Sequence, residues 1–246
     1  MNNTYRVSCR IPYSGADSEY KMRLDYMVTH FQDITGLHSE ELETDGRTLR
    51  EKSNAFWVLT KLKLRIHQFP MFNENVEIET WPTLAKGVRF GRDYRISKDG
   101  MPMVSGTSEW CTLDFDTHRP RKADSIHYPH TMVHREDRSD VGEFLRVKEK
   151  VEEADCSYTY RSSFVDIDTN QHTNNSAYLR MALNCFSPEE FSALPVHELQ
   201  ISFLSQSFYG DEIRVYKKKT DYGFYIEGRR EEVAVFNCLL VLKAET

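Results

Sequence analysis

Residues 166–175 read Asp-Ile-Asp-Thr-Asn-Gln-His-Thr-Asn-Asn, which places two aspartates, three asparagines, a glutamine and a histidine in ten positions. Asp168, Asn170 and His172 recur at every second residue, and in an extended segment that spacing points three side chains the same way. The apolar face of a helix begins directly afterwards, so the three groups stand at a helix N-terminus. This set suits carbonyl chemistry. Histidine exchanges a proton near neutral pH. A carboxamide donates to a developing oxyanion, and a helix N-terminus adds unpaired N–H groups and a positive dipole end. A carboxylate can orient the histidine or act as the base itself. The reaction these groups fit is water attack on an activated acyl group. A plainer role exists for the same residues, because Asn and Asp favour turns and helix N-caps. Asn174 and Asn175 suit a cap before Ser176, which does not exclude contact with a substrate. Other nucleophile and phosphate motifs are missing: there is no G-x-S-x-G, Walker loop, G-x-G-x-x-G or H-E-x-x-H.

The elements that must position this loop occur twice. Shifted by 137 positions, residues 62–80 (LKLRIHQFPMFNENVEIET) lie without gaps on 199–217 (LQISFLSQSFYGDEIRVYK). Leu62, Leu64, Ile66, Val76 and Ile78 fall on Leu199, Ile201, Phe203, Ile213 and Val215, each copy reading as two alternating strands around a tight connection. Upstream, Leu24, Met27, Val28, Phe31 and Ile34 mark one helix face, and Tyr178, Met181, Ala182, Cys185 and Phe186 mark another. Cys185 therefore reads as core. A long helix followed by an antiparallel meander, twice over, predicts an α+β chain in which each helix covers a sheet face. The expected division is 1–120, a linker over 121–152, and 153–246; the charged, His-rich run 117–143 with its two prolines breaks every periodicity. The copies differ in one respect: before its helix the first has no Asn-x-His-x-Asn-Asn, so only the second copy offers chemistry and the first offers surface or pocket.

Composition narrows the class further. The chain has 246 residues, 39% of them hydrophobic and 12% aromatic, as expected of a folded, β-rich protein. A net charge of −6 argues against nucleic acid as a main partner. Short basic runs at 118–122, 217–219 and 228–230 read as solvated faces or as a landing place for an acidic partner. No run approaches the ~20 apolar residues of a membrane span, and the first residues lack a signal or transit pattern, so a cytoplasmic location is expected. The five cysteines are scattered without a C-x-x-C, which predicts reduced thiols and no zinc site.

The segment DIDTNQHTNNSAY resembles the active-site loop of the acyl-acyl carrier protein (acyl-ACP) thioesterases, where Asp-x-Asn-x-His-x-Asn-Asn recurs. Three further stretches are similar to that family in order: FWVLTKLKLRIHQFPMFNENVEIETWP, GRDYRISKDG and SEWCTLDFDTHRPRK. The resemblance implies two tandem hotdog folds, hydrolysis of the thioester between a fatty acyl chain and the phosphopantetheine arm of acyl carrier protein, and no metal or cofactor. It carries Asp168, Asn170 and His172 onto the catalytic positions. One departure stands out, because the family's Arg-Arg-Glu-Cys cluster is matched here by Leu204, Ser205, Gln206 and Ser207. Glutamine cannot act as a base, though it can hold a water or donate to the carbonyl. The base must then be Asp168 or His172, with Gln206 assisting. Asn174, Asn175 and Ser207 are expected near the substrate, and Met27, Phe31, Trp57 and Trp81 are candidates for lining the acyl slot. Lys217–Lys219, Arg229 and Arg230 are candidates for receiving the acidic carrier. An acyl-CoA thioesterase and a non-catalytic acyl-binding protein remain as alternatives, and self-association into a homodimer stays open.

Overall fold

The alternation that marks the strands in sequence is carried into space as an inner and an outer sheet face. The computed structural model describes residues 3–129 and 135–243. Its first half runs β1 (Tyr5–Arg10), α1 (Leu24–Glu41), α2 (Gly46–Ser53), β2 (Ala55–Ile66), β3 (Asn75–Pro82), β4 (Arg89–Lys98), β5 (Met101–Asp114) and the two-residue β6 (Pro120–Arg121). The second runs β7 (Cys156–Arg161), α3 (Asn175–Leu183), α4 (Pro188–Ser192), β8 (Val196–Phe203), β9 (Glu212–Thr220), β10 (Gly223–Arg230) and β11 (Val233–Leu242).

The strands form one antiparallel sheet in the order β1-β3-β4-β5-β2-β8-β11-β10-β9-β7, with β6 on β5. The order reads the same from either end once β1 is equated with β7 and β2 with β8. The halves join where Leu62 faces Ile201 and Leu64 faces Leu199 across β2 and β8. Each half lays a helix on its inner face, the arrangement of a tandem hotdog fold. Leu24, Met27, Val28, Phe31 and Ile34 of α1 share one core with Ala177, Tyr178, Leu179, Met181 and Ala182 of α3.

The second helix is shorter than its pattern suggests. It ends at Leu183, and Cys185 and Phe186 lie beyond it. Ser187 is extended and caps α4 through the Glu190 N–H, with Pro188 at the first helical position. A residue preceding proline is held out of the α region, so the chain restarts rather than continuing.

The segment between the halves packs against the outer face. Arg138 pairs with Asp93, which is fully buried, at 2.7 Å. Arg135 pairs with Glu79 at 3.4 Å and lies over the ring of Trp81. Trp81 is thus covered on the outer side of the sheet. Leu145 exchanges two bonds with the Gln200 side chain, through its N–H at 2.7 Å and its carbonyl at 2.9 Å.

Candidate active site

The polar loop is a closed turn. Asp168 Oδ1 accepts from the backbone N–H groups of Asn170 at 2.8 Å and His172 at 3.3 Å. Asp168 N–H donates to the His172 carbonyl at 2.9 Å, and Gln171 N–H to the Asp168 carbonyl at 3.0 Å. Gln171 sits at φ +64°, and Ile167 bridges to Thr173. The extended spacing expected for this loop is therefore absent, because a left-handed residue reverses the chain between Asn170 and His172. Asp168, Asn170 and His172 nonetheless border one space.

That space is a cavity of about 1140 Å³ between the halves. One wall is residues 168–173 with Asn175, Tyr178 and the segment 203–206; the other is α1, α2, β2, β4 and β5. The polar end holds Asp168, Asn170, His172, Asn175 and Gln206. The opposite wall carries an apolar and aromatic stretch, Leu42, Phe56, Trp57, Leu59, Phe90 and Trp110, beside polar residues of α1 and α2. Trp57 is fixed there by donating from Nε1 to the Thr44 carbonyl at 2.7 Å and by edge contact with Phe90.

A second layer holds the turn. Thr173 N–H donates to the Ser207 carbonyl at 2.8 Å, and Ser207 Oγ donates to Thr173 Oγ1 at 2.8 Å. Ser207 N–H donates to the Tyr178 hydroxyl at 2.9 Å. This network ties the segment carrying Gln206 to the turn carrying His172. Burial pushes the Tyr178 hydroxyl above its usual range, so it stays protonated. Sequence reasoning placed Tyr178 in the core and missed this link, since its helical spacing looks the same in either role.

Several residues expected near the substrate lie outside the cavity lining, and one of them makes the expected helix cap. Asn174 caps α3, its Oδ1 accepting from the Ser176 N–H and hydroxyl at 2.8 Å each. Ser207 is fully buried in the network above and does not reach the cavity. Met27 and Phe31 are also fully buried; Phe31 stacks on Tyr94 at 4.5 Å, facing the α1–sheet core instead of the slot. Trp57 alone of the four apolar candidates lines the cavity. Among the described residues no side-chain bond from the His172 ring, Asn170 or Gln206 to another protein group exists, and His172 meets Phe208 edge-on at 5.2 Å. The Asn175 N–H at the start of α3 is likewise without a partner among the described residues.

The basic candidates are mostly engaged elsewhere. Lys217 pairs with Glu190 and Lys218 donates to the Lys150 carbonyl, both at 2.9 Å. Arg229 pairs with Glu227 at 2.6 Å and Arg230 with Asp211 at 2.8 Å. None of these residues, nor Lys219, borders the cavity. No cluster of His, Cys, Asp and Glu able to hold a metal occurs among the described residues.

Residues 2–126 match the family model of the acyl-ACP thioesterase N-terminal domain, and residues 149–245 match that of the C-terminal domain. The chain belongs to the acyl-ACP thioesterase family. It is 27% identical over 187 residues to the oleoyl-acyl carrier protein thioesterase, chloroplastic, of Coriandrum sativum, an alignment covering 69% of this chain and 49% of that protein. The chain spans about half the length of the curated relatives it matches. In structure it is similar to an acyl-ACP thioesterase from Bacteroides thetaiotaomicron, with TM-score 0.86, 19% identity and 98% of each chain covered. The 12:0-ACP thioesterase from Umbellularia californica gives TM-score 0.85 at 16% identity, covering 99% of this chain and 98% of that one. At these identities the acyl-ACP thioesterase structures speak for the fold.

Proposed function

We propose that the protein hydrolyses the thioester of a fatty acyl group carried on acyl carrier protein and releases the free fatty acid. The observation that carries this reading is the cavity itself, with His172, Asn170 and Asn175, the first residue of α3, at one end and aromatic side chains of the first half facing them. The acyl chain lies along Trp57, Phe90 and Trp110, where each buried CH₂ contributes ~0.8 kcal/mol. Its carbonyl meets the Asn170 amide and the Asn175 N–H, donors that stabilise the negative charge as it develops. His172 takes a proton from water as the water oxygen bonds to the carbonyl carbon. The C–S bond then breaks and the imidazolium returns a proton to the departing thiolate. Gln206 holds the water or adds a donor. Family membership supports the same reading. The test is release of free fatty acid from acyl-ACP and from acyl-CoA of equal chain length. Preference for the carrier protein is expected; binding without release from either would leave an acyl-binding protein.

The landing surface for an acidic carrier is the cavity mouth on the first half. Arg47, Arg50, Arg119 and Lys122 are exposed, and none pairs with a carboxylate among the described residues. Arg47, Arg50 and His118 border the opening, with Arg50 lying over Phe115. Reversing Arg47 and Arg50 to Glu should raise KM for acyl-ACP by about tenfold at low salt, with the difference shrinking as salt screens it. The matching reversal of Lys217 and Lys218 should change KM little. Equal effects at both places would remove the mouth as the docking surface.

A further inference from the structure

The turn that bears the site is built twice. Residues 16–22 (Ala-Asp-Ser-Glu-Tyr-Lys-Met) lie between β1 and α1 as residues 167–173 lie between β7 and α3. Bridges close both, Ala16 to Met22 and Ile167 to Thr173. Asp17 Oδ1 accepts from the backbone N–H groups of Glu19 and Lys21 at 2.9 Å each, the pattern Asp168 makes with Asn170 and His172. Asp17 N–H donates to the Lys21 carbonyl at 2.9 Å and Tyr20 N–H to the Asp17 carbonyl at 3.1 Å, matching the bonds of Asp168 and Gln171. Tyr20 sits at φ +60° and Gln171 at φ +64°. No residue of the first turn borders the cavity. An aspartate is therefore used in the same way in a turn that does not border the cavity.

What the two turns share is structural, and what separates them is chemical. The positions of Asn170 and His172 are taken by Glu19 and Lys21, while the aspartate and the left-handed residue persist. We propose that Asp168 is a positioning residue, acting on the thioester only through the backbone that aims Asn170 and His172, and that His172 is the sole base. This rests on the hydrolase reading given above. Oδ1 of Asp168 is committed to two N–H groups that any isosteric acceptor could satisfy, as Oδ1 of Asp17 is in the first turn.

The test compares Asp168→Asn with Asp168→Ala. Asparagine keeps an oxygen for both N–H groups but has no basicity. Asp168→Asn should lose less than about tenfold in fatty acid release from acyl-ACP and keep the parent's pH–rate profile, well short of the ~10²–10⁴ that removing a general base costs. Asp168→Ala should fall far below Asp168→Asn. Amide hydrogen exchange gives a readout independent of activity: protection at Asn170 and His172 should survive in Asp168→Asn and vanish in Asp168→Ala. If the alanine variant does not fold, Asp168→Asn alone decides. Asp168→Asn losing activity to the level expected for a missing base, or losing a limb of the pH profile, overturns the proposal, as does unchanged protection in Asp168→Ala. A parent inactive on both acyl-ACP and acyl-CoA contradicts the hydrolase reading instead, and the exchange result still judges the turn.

Discussion

The two turns that precede α1 and α3 share a backbone and differ in almost everything that faces outward. Immediately before them the exchange is one of volume. Gly15 leaves room for the ring of Tyr26, which an added Cβ would meet at 2.4 Å. The equivalent pair in the second half is Asp166 with Ala177, and the Asp166 carboxylate fills the space with bonds from Tyr160, Ser163 and Arg180. The helices diverge as well. The first half spends eighteen residues on α1 and eight more on α2, against nine and five in the second. The extra helical length forms much of the cavity wall, and the shorter half presents its turn to that wall. A duplicated scaffold thus has one half that supplies most of the cavity wall and another whose polar turn faces that wall.

That division can be attacked from its most consequential residue downward. His172→Ala should reduce kcat on acyl-ACP by about 10²–10⁴, the range for a lost general base, with little change in Tm. Lys21→Ala, its counterpart, should leave kcat unchanged, and a comparable loss from both would dissolve the distinction.

Asp166 provides the next test. Burial pushes its carboxyl up, but bonds from the Ser163 N–H, Tyr160, the Ser163 hydroxyl and the Arg180 guanidinium outweigh this and hold it below the usual carboxylate range. A lowered folded-state pKa gives stability that is present above the unfolded value near ~3.9 and lost as pH falls through the folded one. Asp166→Asn should cost about 2 kcal/mol at pH 7 by denaturant unfolding. The gap between variant and parent should close as the solution is taken well below pH ~4. A gap independent of pH would show that shape, not charge, is what Asp166 supplies.

Asp17→Ala should produce the smallest change, about 1 kcal/mol of stability from two lost turn bonds, with the rate of hydrolysis intact. Thermal unfolding and a rate assay on the same preparation check it.

Much of this scaffold is legible in sequence because burial imposes periodicity. The α1 face Leu24–Ile34 and the strand pairs at 62–80 and 199–217 are examples, and their apolar positions are buried as the spacing requires, except Phe203, which is half-buried at the cavity wall. The polar loop stands out by its residue types, and it borders the cavity. The duplicated turn is hidden, since it aligns only at an offset of 151 residues whereas the strands align at 137. Longer helices in the first half separate the two registers. The aspartate shared by otherwise unlike turns therefore looks catalytic when it is read alone. The wall of the cavity is hidden for another reason. The α2 segment Gly46–Ser53 is almost wholly polar, with only Leu49 buried, and nothing in such a pattern says that it encloses a pocket. Met27 and Phe31 show the converse limit: an apolar helix face announces burial without saying whether core or slot lies beneath it.

A side-by-side measurement of the two turns tests the division between them most directly. Single-turnover release of fatty acid from acyl-ACP should be compared for Asn170→Ala/His172→Ala and for Glu19→Ala/Lys21→Ala. The first pair is predicted to lose at least about 10³ in rate, since an oxyanion donor and the base go together. The second is predicted to stay at the parent's rate. Equal losses in both, or full activity in the first, would contradict the assignment of the chemistry to the second half's turn.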